Sequence, residues 1–346
     1  MKAIVYTKYG SPDILELKEI EKPKPKDDEV LIQICAASVN PLDWHIMRGS
    51  PFILRIMTGL FKPRITRLGR DVAGKVESVG RNVTLFKKGD EVFGSSAGAF
   101  AEYVCASELK LVLKPDNMTF EQAATLNVAA LTALQSLRDK GQIKPGQKIL
   151  INGASGGVGT FAVQFAKVFN TEVTGVCSTN NIEMVRSIGA DYVFDYTKED
   201  VTRTGKHYDI FLDCYANRSL LACKRVLNTG GIYIPVGGPV NSLISILISS
   251  MTAIVLSWFV SQKFVNFLTK INKEDLTFIS ELIASEKVKA VIGKQYKLTE
   301  VPEAIRYIEE GHTKGKVVII IETWKQNPTN ILNQQNTPPN SPSPSS

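Results

Sequence analysis

The sequence predicts an α/β chain in which a β-rich, barrel-like domain precedes a parallel sheet built from βαβ units. Three observations carry this. Short apolar runs, separated by glycine, proline and charged residues, recur through the first third, at residues 3–6, 30–36, 72–79, 91–94 and 100–104. From about residue 120, strand and helix patterns alternate instead. Short β-like runs return over 288–321 around one helix at 301–310, which takes the C-terminal segment back to the first domain. The expected divisions are 1–121, 122–287, a returning segment 288–323 and a tail 324–346.

Within the second part the elements follow in order. A helix spans 121–140 and ends near Gly141, and a buried strand occupies 148–152. The helix 158–169 places Val158, Ala162, Phe165 and Phe169 on one face. A strand at 172–177, a helix at 181–188 stopped by Gly189, and strands at 192–194, 210–213 and 232–236 complete the alternation. After Trp324 the composition collapses into Asn, Gln, Pro and Ser, which cannot bury apolar area, so the tail is expected to be disordered.

The 346 residues are 44% hydrophobic, enough for a core that encloses a ligand. The net charge of +7 is spread among interspersed acids and bases, so no basic tail points to nucleic acid. Anionic ligands or an anionic surface suit that charge better. The cysteines, Cys35, Cys105, Cys177, Cys214 and Cys223, are odd in number and form no CxxC pair, which fits a reducing compartment. No signal-peptide pattern precedes the first strand, so the cytoplasm is the expected location.

The most informative string is Gly153-Ala154-Ser155-Gly156-Gly157-Val158-Gly159, set between the strand 148–152 and the helix 158–169. Gly157 to Ala162 fits G-x-G-x-x-A: a glycine for the tight turn, a second for close backbone approach to a pyrophosphate, and a small residue for packing helix on strand. The helix N-terminus adds free N–H groups and a positive dipole end. The bland alternative is a glycine-rich turn without ligand. At the end of the next strand, where NAD-binding folds place an acid, the chain reads Cys177-Ser178-Thr179-Asn180-Asn181. The missing carboxylate favours NADPH, with NADH as the other possibility and a simple helix cap as the ligand-free reading of Ser178–Asn181.

The strand 146–152 with this loop, Gln164 and Lys167 resembles the signature of the quinone oxidoreductases related to ζ-crystallin, in the medium-chain dehydrogenase/reductase superfamily. Asn40-Pro41-Leu42-Asp43, Gly69-Arg70-Asp71-Val72-Ala73-Gly74, Gly89-Asp90-Glu91-Val92-Phe93-Gly94 and the segment 311–319 extend the similarity to nearly everything except the tail. The resemblance implies a GroES-like β-barrel catalytic domain, a Rossmann doubly wound parallel-sheet domain, NADPH in the cleft between them, and a homodimer. Ser155, Gly156, Gly157, Val158 and Gly159 match the pyrophosphate loop. Ser178 and Tyr196 match positions near the 2′-phosphate. Asn217 and the turn Val236, Gly237, Gly238 match further cofactor contacts. Thr132, Trp258, Phe259, Val260 and Lys316 complete the expected cofactor set. Asn40 matches the polar residue near the reacting carbonyl, and His45 stands where relatives often carry a tyrosine.

Zinc enzymes of that superfamily need a Cys and a His-Glu pair, yet Val39–Asp43 and Leu68–Asp71 contain neither Cys nor His, and a four-cysteine lobe is missing. His45, His207 and His312 are widely spaced. The expectation is therefore a zinc-independent reductase whose substrates, quinones or related α,β-unsaturated carbonyls, are small, lipophilic and already electrophilic. An alkenal or enone reductase is the near alternative, and a non-catalytic NADPH-binding, membrane-associated scaffold the distant one. Asn40 is the candidate oxyanion donor. His45 is the candidate proton donor, with cofactor packing or a surface role as its alternatives. Asp43 and Trp44 are expected to cap and pack the following helix.

Two segments are unusual. Residues 243–260 carry no formal charge and read as a buried helix and strand, or as a greasy substrate mouth, rather than as a membrane span. Residues 48–70 hold Arg48, Arg55, Lys62, Arg64, Arg67 and Arg70 with no acid, among Phe52, Ile53, Leu54, Ile56, Met57, Leu60 and Phe61. That mixture suits either a solvated loop on an apolar face or peripheral contact with an anionic membrane.

Overall fold

In a computed structural model the described residues are 1–237, 261–266, 268–311 and 313–322. Gly238, Trp258, Phe259, Val260, His312, the run 243–260 and the tail from 324 lie outside them.

The first unit is a largely antiparallel sheet. Strand β1 (Lys2–Val5) pairs with β2 (Glu16–Glu19), and β3 (Glu29–Val39) forms the long spine of the rest. Helices α1 (Pro41–Arg48) and α2 (Ile53–Thr58) follow it, then β4 (Asp71–Val79), β5 (Glu91–Ser95), β6 (Tyr103–Ser107) and β7 (Leu111–Leu113). Spine strand β3 has nine of its eleven residues buried, so it reads as an apolar run rather than an alternation. Gly74 lets β4 cross β3 closely, because a Cβ there would lie 2.1 Å from the Gln33 carbonyl oxygen.

The second unit is a six-stranded sheet of order β10-β9-β8-β11-β12-β13, parallel throughout. Its strands are β8 (Lys148–Asn152), β9 (Glu172–Cys177), β10 (Tyr192–Asp195), β11 (Tyr208–Asp213), β12 (Leu227–Pro235) and β13 (Lys263–Phe264). Helix α3 (Phe120–Ala123) and helix α4 (Leu131–Gln135) precede it; α5 (Gly157–Val168), α6 (Ile182–Ser187) and α7 (Leu220–Arg225) connect its strands. One face packs on Phe161, Phe165, Val185 and the α3–α4 residues; the other buries Phe194, Phe211, Cys223 and Tyr233. Helices on both faces make the sheet doubly wound, and Val158, Ala162, Phe165 and Phe169 do share the packed face.

The chain then returns. Helix α8 (Lys273–Ala284) leads to β14 (Ile292–Lys297), α9 (Val301–Glu309) and β15 (Lys316–Ile320). Strand β15 pairs antiparallel with β3 and parallel with β14, so it sits inside the first sheet.

Two expectations need correction. The strand expected at 100–104 lies at Tyr103–Ser107; Phe100 and Ala101 are fully buried but instead bridge toward β1, where the Ile4 N–H donates to the Phe100 carbonyl. The helix expected at 121–140 is not uniform: after α3 the turns Leu126–Ala130 and Ser136–Lys140 widen to i→i+5 bonding on either side of α4. Sequence periodicity does not register such widening, because residues 123–137 are buried almost all round and carry no apolar stripe whose phase could shift.

Ile319 is fully buried in the returning strand. Ile319→Ala is expected to destabilise the protein by about 2–4 kcal/mol. Urea unfolding checks this, and a change below about 1 kcal/mol would contradict the sandwiched position of β15.

Candidate functional site

The glycine loop sits where strand order reverses. Strand β8 has β9 and β10 on one side and β11 and β12 on the other, so the carboxyl ends of β8 and β11 open the crevice where ligands of such sheets bind. A buried clamp holds that opening. Asn152 Nδ2 donates to Asp213 Oδ1 at 2.8 Å, the Ala216 N–H donates to the same oxygen at 2.7 Å, and Tyr233 OH donates to Oδ2 at 3.0 Å. Gly237 lies against the turn so closely that a Cβ would be 2.6 Å from the Cys214 carbonyl oxygen.

The loop itself requires glycine. Gly153 has φ +75°, and a Cβ on Gly159 would lie 2.1 Å from the Gly153 carbonyl oxygen. Gly156 is the extended N-cap of α5 and no side chain caps the helix, so the N–H groups of Val158 and Gly159 have no intrahelical acceptor. These N–H groups fit a pyrophosphate.

The loop is joined to the first sheet by two consecutive residues. The Gly315 N–H donates to the Ser155 carbonyl at 2.7 Å, and the Lys316 stem lies against Gly157, where a Cβ would be 2.9 Å from Cδ. Lys316 Nζ then reaches Asn40 Oδ1 at 2.6 Å and Asp71 Oδ2 at 3.3 Å. Lys316, expected to be in the cofactor set, thus has its ammonium on Asn40 and Asp71 and its stem against the glycine loop.

Asp71 is fully buried and saturated. Oδ2 accepts from Ser38 Oγ at 2.6 Å and Asn40 Nδ2 at 2.9 Å, while Oδ1 accepts from Asn127 Nδ2 at 3.0 Å and the Val128 N–H at 3.1 Å. A zinc ion does not fit this donor set: Asn40 and Arg70 offer no soft or imidazole ligand, and the Asp71 oxygens already accept bonds. Among the described residues no group of three or more His, Cys, Asp or Glu side chains is arranged to hold a metal.

Asp43, in the first turn of α1, caps the helix reciprocally with Asn40. Its carboxylate accepts the Asn40 N–H at 2.8 Å and the Gly69 N–H at 3.0 Å, and burial pushes its pKa up to about 6 despite those bonds. His45 is half-buried. Its Nδ1 faces the Ser50 carbonyl at 2.8 Å, which calls for an Nδ1–H tautomer, and its ring stacks on Trp44 at 3.6 Å. Burial holds its pKa below the ordinary histidine value. It shares no hydrogen bond with Asn40, Asp71 or Lys316.

At the other end of the loop, Asn181 Nδ2 donates to Ser178 Oγ at 3.1 Å and to Ser155 Oγ at 3.3 Å. Tyr196 is exposed at this rim, Asn217 is exposed after β11 on the other side of β8, and Thr132 Oγ1 donates to the Val128 carbonyl at 2.7 Å. Sequence reading missed Asp195. It ends β10 in register with Cys177, and hydrogen bonds from Thr179 and Thr197 lower its pKa to about 2. Ser38, Asn127 and the Asn152–Asp213 clamp were missed too. Their one sequence signal is a polar residue placed at the end of an otherwise apolar strand.

Comparison with known proteins follows this geometry. The alcohol dehydrogenase GroES-like domain family matches residues 26–116, and the zinc-binding dehydrogenase family matches residues 188–319. A chloroplastic quinone-oxidoreductase homolog of Spinacia oleracea is 35% identical, over 92% of this chain and 98% of the relative. An NADPH-dependent alkenal/one oxidoreductase from Arabidopsis thaliana is 34% identical, over 92% of this chain and 79% of the relative. The solved quinone oxidoreductase of Coxiella burnetii superimposes with a TM-score of 0.82 at 28% identity, covering 93% of this chain and 99% of that one.

Two outcomes follow from the site. Asp71→Ala leaves the Lys316 ammonium buried and unpaired and is expected to cost about 3–5 kcal/mol, while Asp71→Ala combined with Lys316→Met recovers part of that loss. Chemical denaturation of the three proteins checks it; equal loss in the single and double variants would contradict the pairing. For His45 the folded pKa lies below the unfolded value, so its contribution to stability is complete above the ordinary histidine range and shrinks as pH falls through it. His45→Gln is expected to flatten the decline in stability between about pH 7 and pH 5. An unchanged slope in the variant would refute that assignment.

Proposed function

Because the chain belongs to the quinone oxidoreductase family of medium-chain dehydrogenases and reductases, we propose that it is an NADPH-dependent, zinc-independent reductase of quinones and related α,β-unsaturated carbonyls. One observation carries the reading. The consecutive residues Gly315 and Lys316 span from the glycine loop to Asn40, bringing a dinucleotide cradle against a polar cluster. Bound dinucleotide supplies a hydride, and the residues of the chain do the rest.

The N–H groups of Val158 and Gly159, which have no intrahelical acceptor, bind the pyrophosphate, with Ser155, Gly156 and Gly157 beside them. Ser178, Asn181 and Tyr196 form the uncharged rim for a 2′-phosphate; the nearby Asp195 is engaged by Thr179 and Thr197. Val236 and Gly237 border the crevice, and Asn217 and Thr132 complete the described part of the cofactor set. Residues 1–121 together with 288–323 make the substrate-side domain and 122–287 the dinucleotide domain, a division supported by the pairing of β15 with β3.

Asn40 is the oxyanion donor. One amide hydrogen is committed to Asp71 at 2.9 Å, whereas the other meets only the Ser38 carbonyl at 3.5 Å and is available to charge developing on a substrate oxygen. Lys316 orients and polarises that amide through Oδ1. The second proton comes from water, because His45 is neutral and turned to Ser50. Alkenal and enone substrates suit the same arrangement, in keeping with the alkenal/one activity in the name of the Arabidopsis relative.

The free thiols of all five cysteines suit a reducing compartment such as the cytoplasm. No helix among the described residues is long and apolar enough to cross a membrane. The assembly we propose is a homodimer with peripheral membrane contact.

NADPH mixed with protein and a panel of water-soluble quinones and enones is expected to be oxidised faster than NADH, followed by absorbance. Ser178→Asp places a carboxylate at the 2′-phosphate rim and is expected to weaken NADPH at least about tenfold, or about 1.4 kcal/mol, while sparing NADH. Oxidation of NADPH by no acceptor in the panel would favour a binding scaffold, and equal use of both dinucleotides by the wild type would remove the cofactor preference.

A further inference from the structure

The described surface carries a concentration of exposed apolar side chains at one place, the tip formed by α2 and its flanks. Phe61 is 91% exposed, Met57 79% and Ile56 66%, and Phe52, Ile53 and Leu60 are exposed beside them. Scattered single apolar residues on a surface need no explanation, but six within ten residues of chain do. The tip is held in place from beneath by polar bonds. Tyr9 OH donates to the Gly59 carbonyl at 2.6 Å and contacts Thr58 Oγ1 at 2.8 Å, the Arg64 N–H donates to the Thr58 carbonyl at 2.7 Å, and the Arg55 guanidinium lies 4.6 Å from the centre of the Tyr9 ring. Thr58 and Gly59 are buried while their apolar neighbours point out, so the exposure is a built feature of an ordered turn.

Charge says what covers it. Of the six basic residues between 48 and 70, Arg48 pairs with Glu309, and Arg55 is spent on the carbonyls of Arg48 and Gly49. Lys62 and Arg64 are exposed next to Phe61, and neither they nor Arg67 and Arg70 pair with an acid among the described residues. The whole stretch 44–70 contains no Asp or Glu. An apolar tip flanked by the exposed cations Lys62 and Arg64 complements the headgroup and outer acyl region of an anionic bilayer.

We propose that the α2 tip docks on an anionic phospholipid surface, inserting Met57 and Phe61 while Lys62 and Arg64 meet the headgroups. Helix α1, which starts at the Asn40 cap, leads into this tip, so docking sets the substrate side of the molecule near the bilayer that dissolves lipophilic quinones. This deepens the function proposed above and rests on it only for the nature of the acceptor.

The test is co-sedimentation of the full chain with vesicles of phosphatidylcholine and phosphatidylglycerol, against pure phosphatidylcholine, at low and high salt. The wild type is expected to sediment with the anionic vesicles and to be released by salt. Met57→Ser with Phe61→Ser, and separately Lys62→Glu with Arg64→Glu, are each expected to lower the bound fraction at least about tenfold. Both pairs are exposed and lie outside the cofactor and Asn40 clusters, so turnover of a water-soluble quinone should not change. No sedimentation of the wild type, or variants that bind as well as it does, overturns the docking. So does a wild-type dimer that ignores vesicles and becomes a monomer in the Met57→Ser/Phe61→Ser protein on size exclusion, since the tip is then a subunit interface. Vesicle binding without turnover of any acceptor would instead leave the docking intact and sink the reductase reading.

Discussion

Asp71 is the constraint on which the rest of the site depends. Its fully buried carboxylate accepts bonds from the end of β3 through Ser38, from the start of α1 through Asn40, from β15 through Lys316, and from the turn ahead of α4 through Asn127 and Val128. Three separate stretches of chain, around residues 38–40, 127–128 and 316, therefore converge on two oxygen atoms. Burying a carboxylate and an ammonium costs several kcal/mol of desolvation, which their attraction only roughly offsets. The pair is better understood as fixing register. Strand β15 at another register would leave two buried charges unpaired, a far larger penalty than the loss of any one contact.

That register has a chemical consequence. Gly315 and Lys316 are neighbours in sequence, so fixing Lys316 on Asn40 also fixes Gly315 on the Ser155 carbonyl. The dinucleotide loop and the amide proposed to meet the substrate oxygen are thereby held by one rigid strand. Hydride transfer to an electrophile that needs no metal depends chiefly on alignment, and errors of about 1 Å are costly. With its oxygens taken by protein donors, the Lys316 ammonium among them, Asp71 serves to orient Asn40 and Lys316.

Much of this was legible in the sequence where local physics decides. Strands such as 148–152 and 210–213 are buried on both faces and read as plain apolar runs, and the glycine spacing 153–159 follows from backbone crowding that any such turn imposes. The limits were equally physical. Asp71 and Lys316 are 245 residues apart, and no local pattern announces their bond. From sequence, Lys316 enters only as a member of the cofactor set, and Asp71 only within a family-like motif and a stretch without Cys or His. For His45 the residue type leaves a proton role, cofactor packing and a surface role open, and its burial and the Ser50 carbonyl are tertiary facts. The widened turns around α4 lie in a stretch buried almost all round, so they leave no trace in periodicity.

The central claim is that a hydride passes to an electrophile held beside Asn40. The direct measurement is to supply NADPH deuterated at C4 together with an enone and to locate the label in the product by mass spectrometry and NMR. The account predicts one deuterium on the β-carbon, with the hydrogen on the α-carbon derived from solvent. Reduced product carrying no deuterium from either face of the cofactor would contradict it.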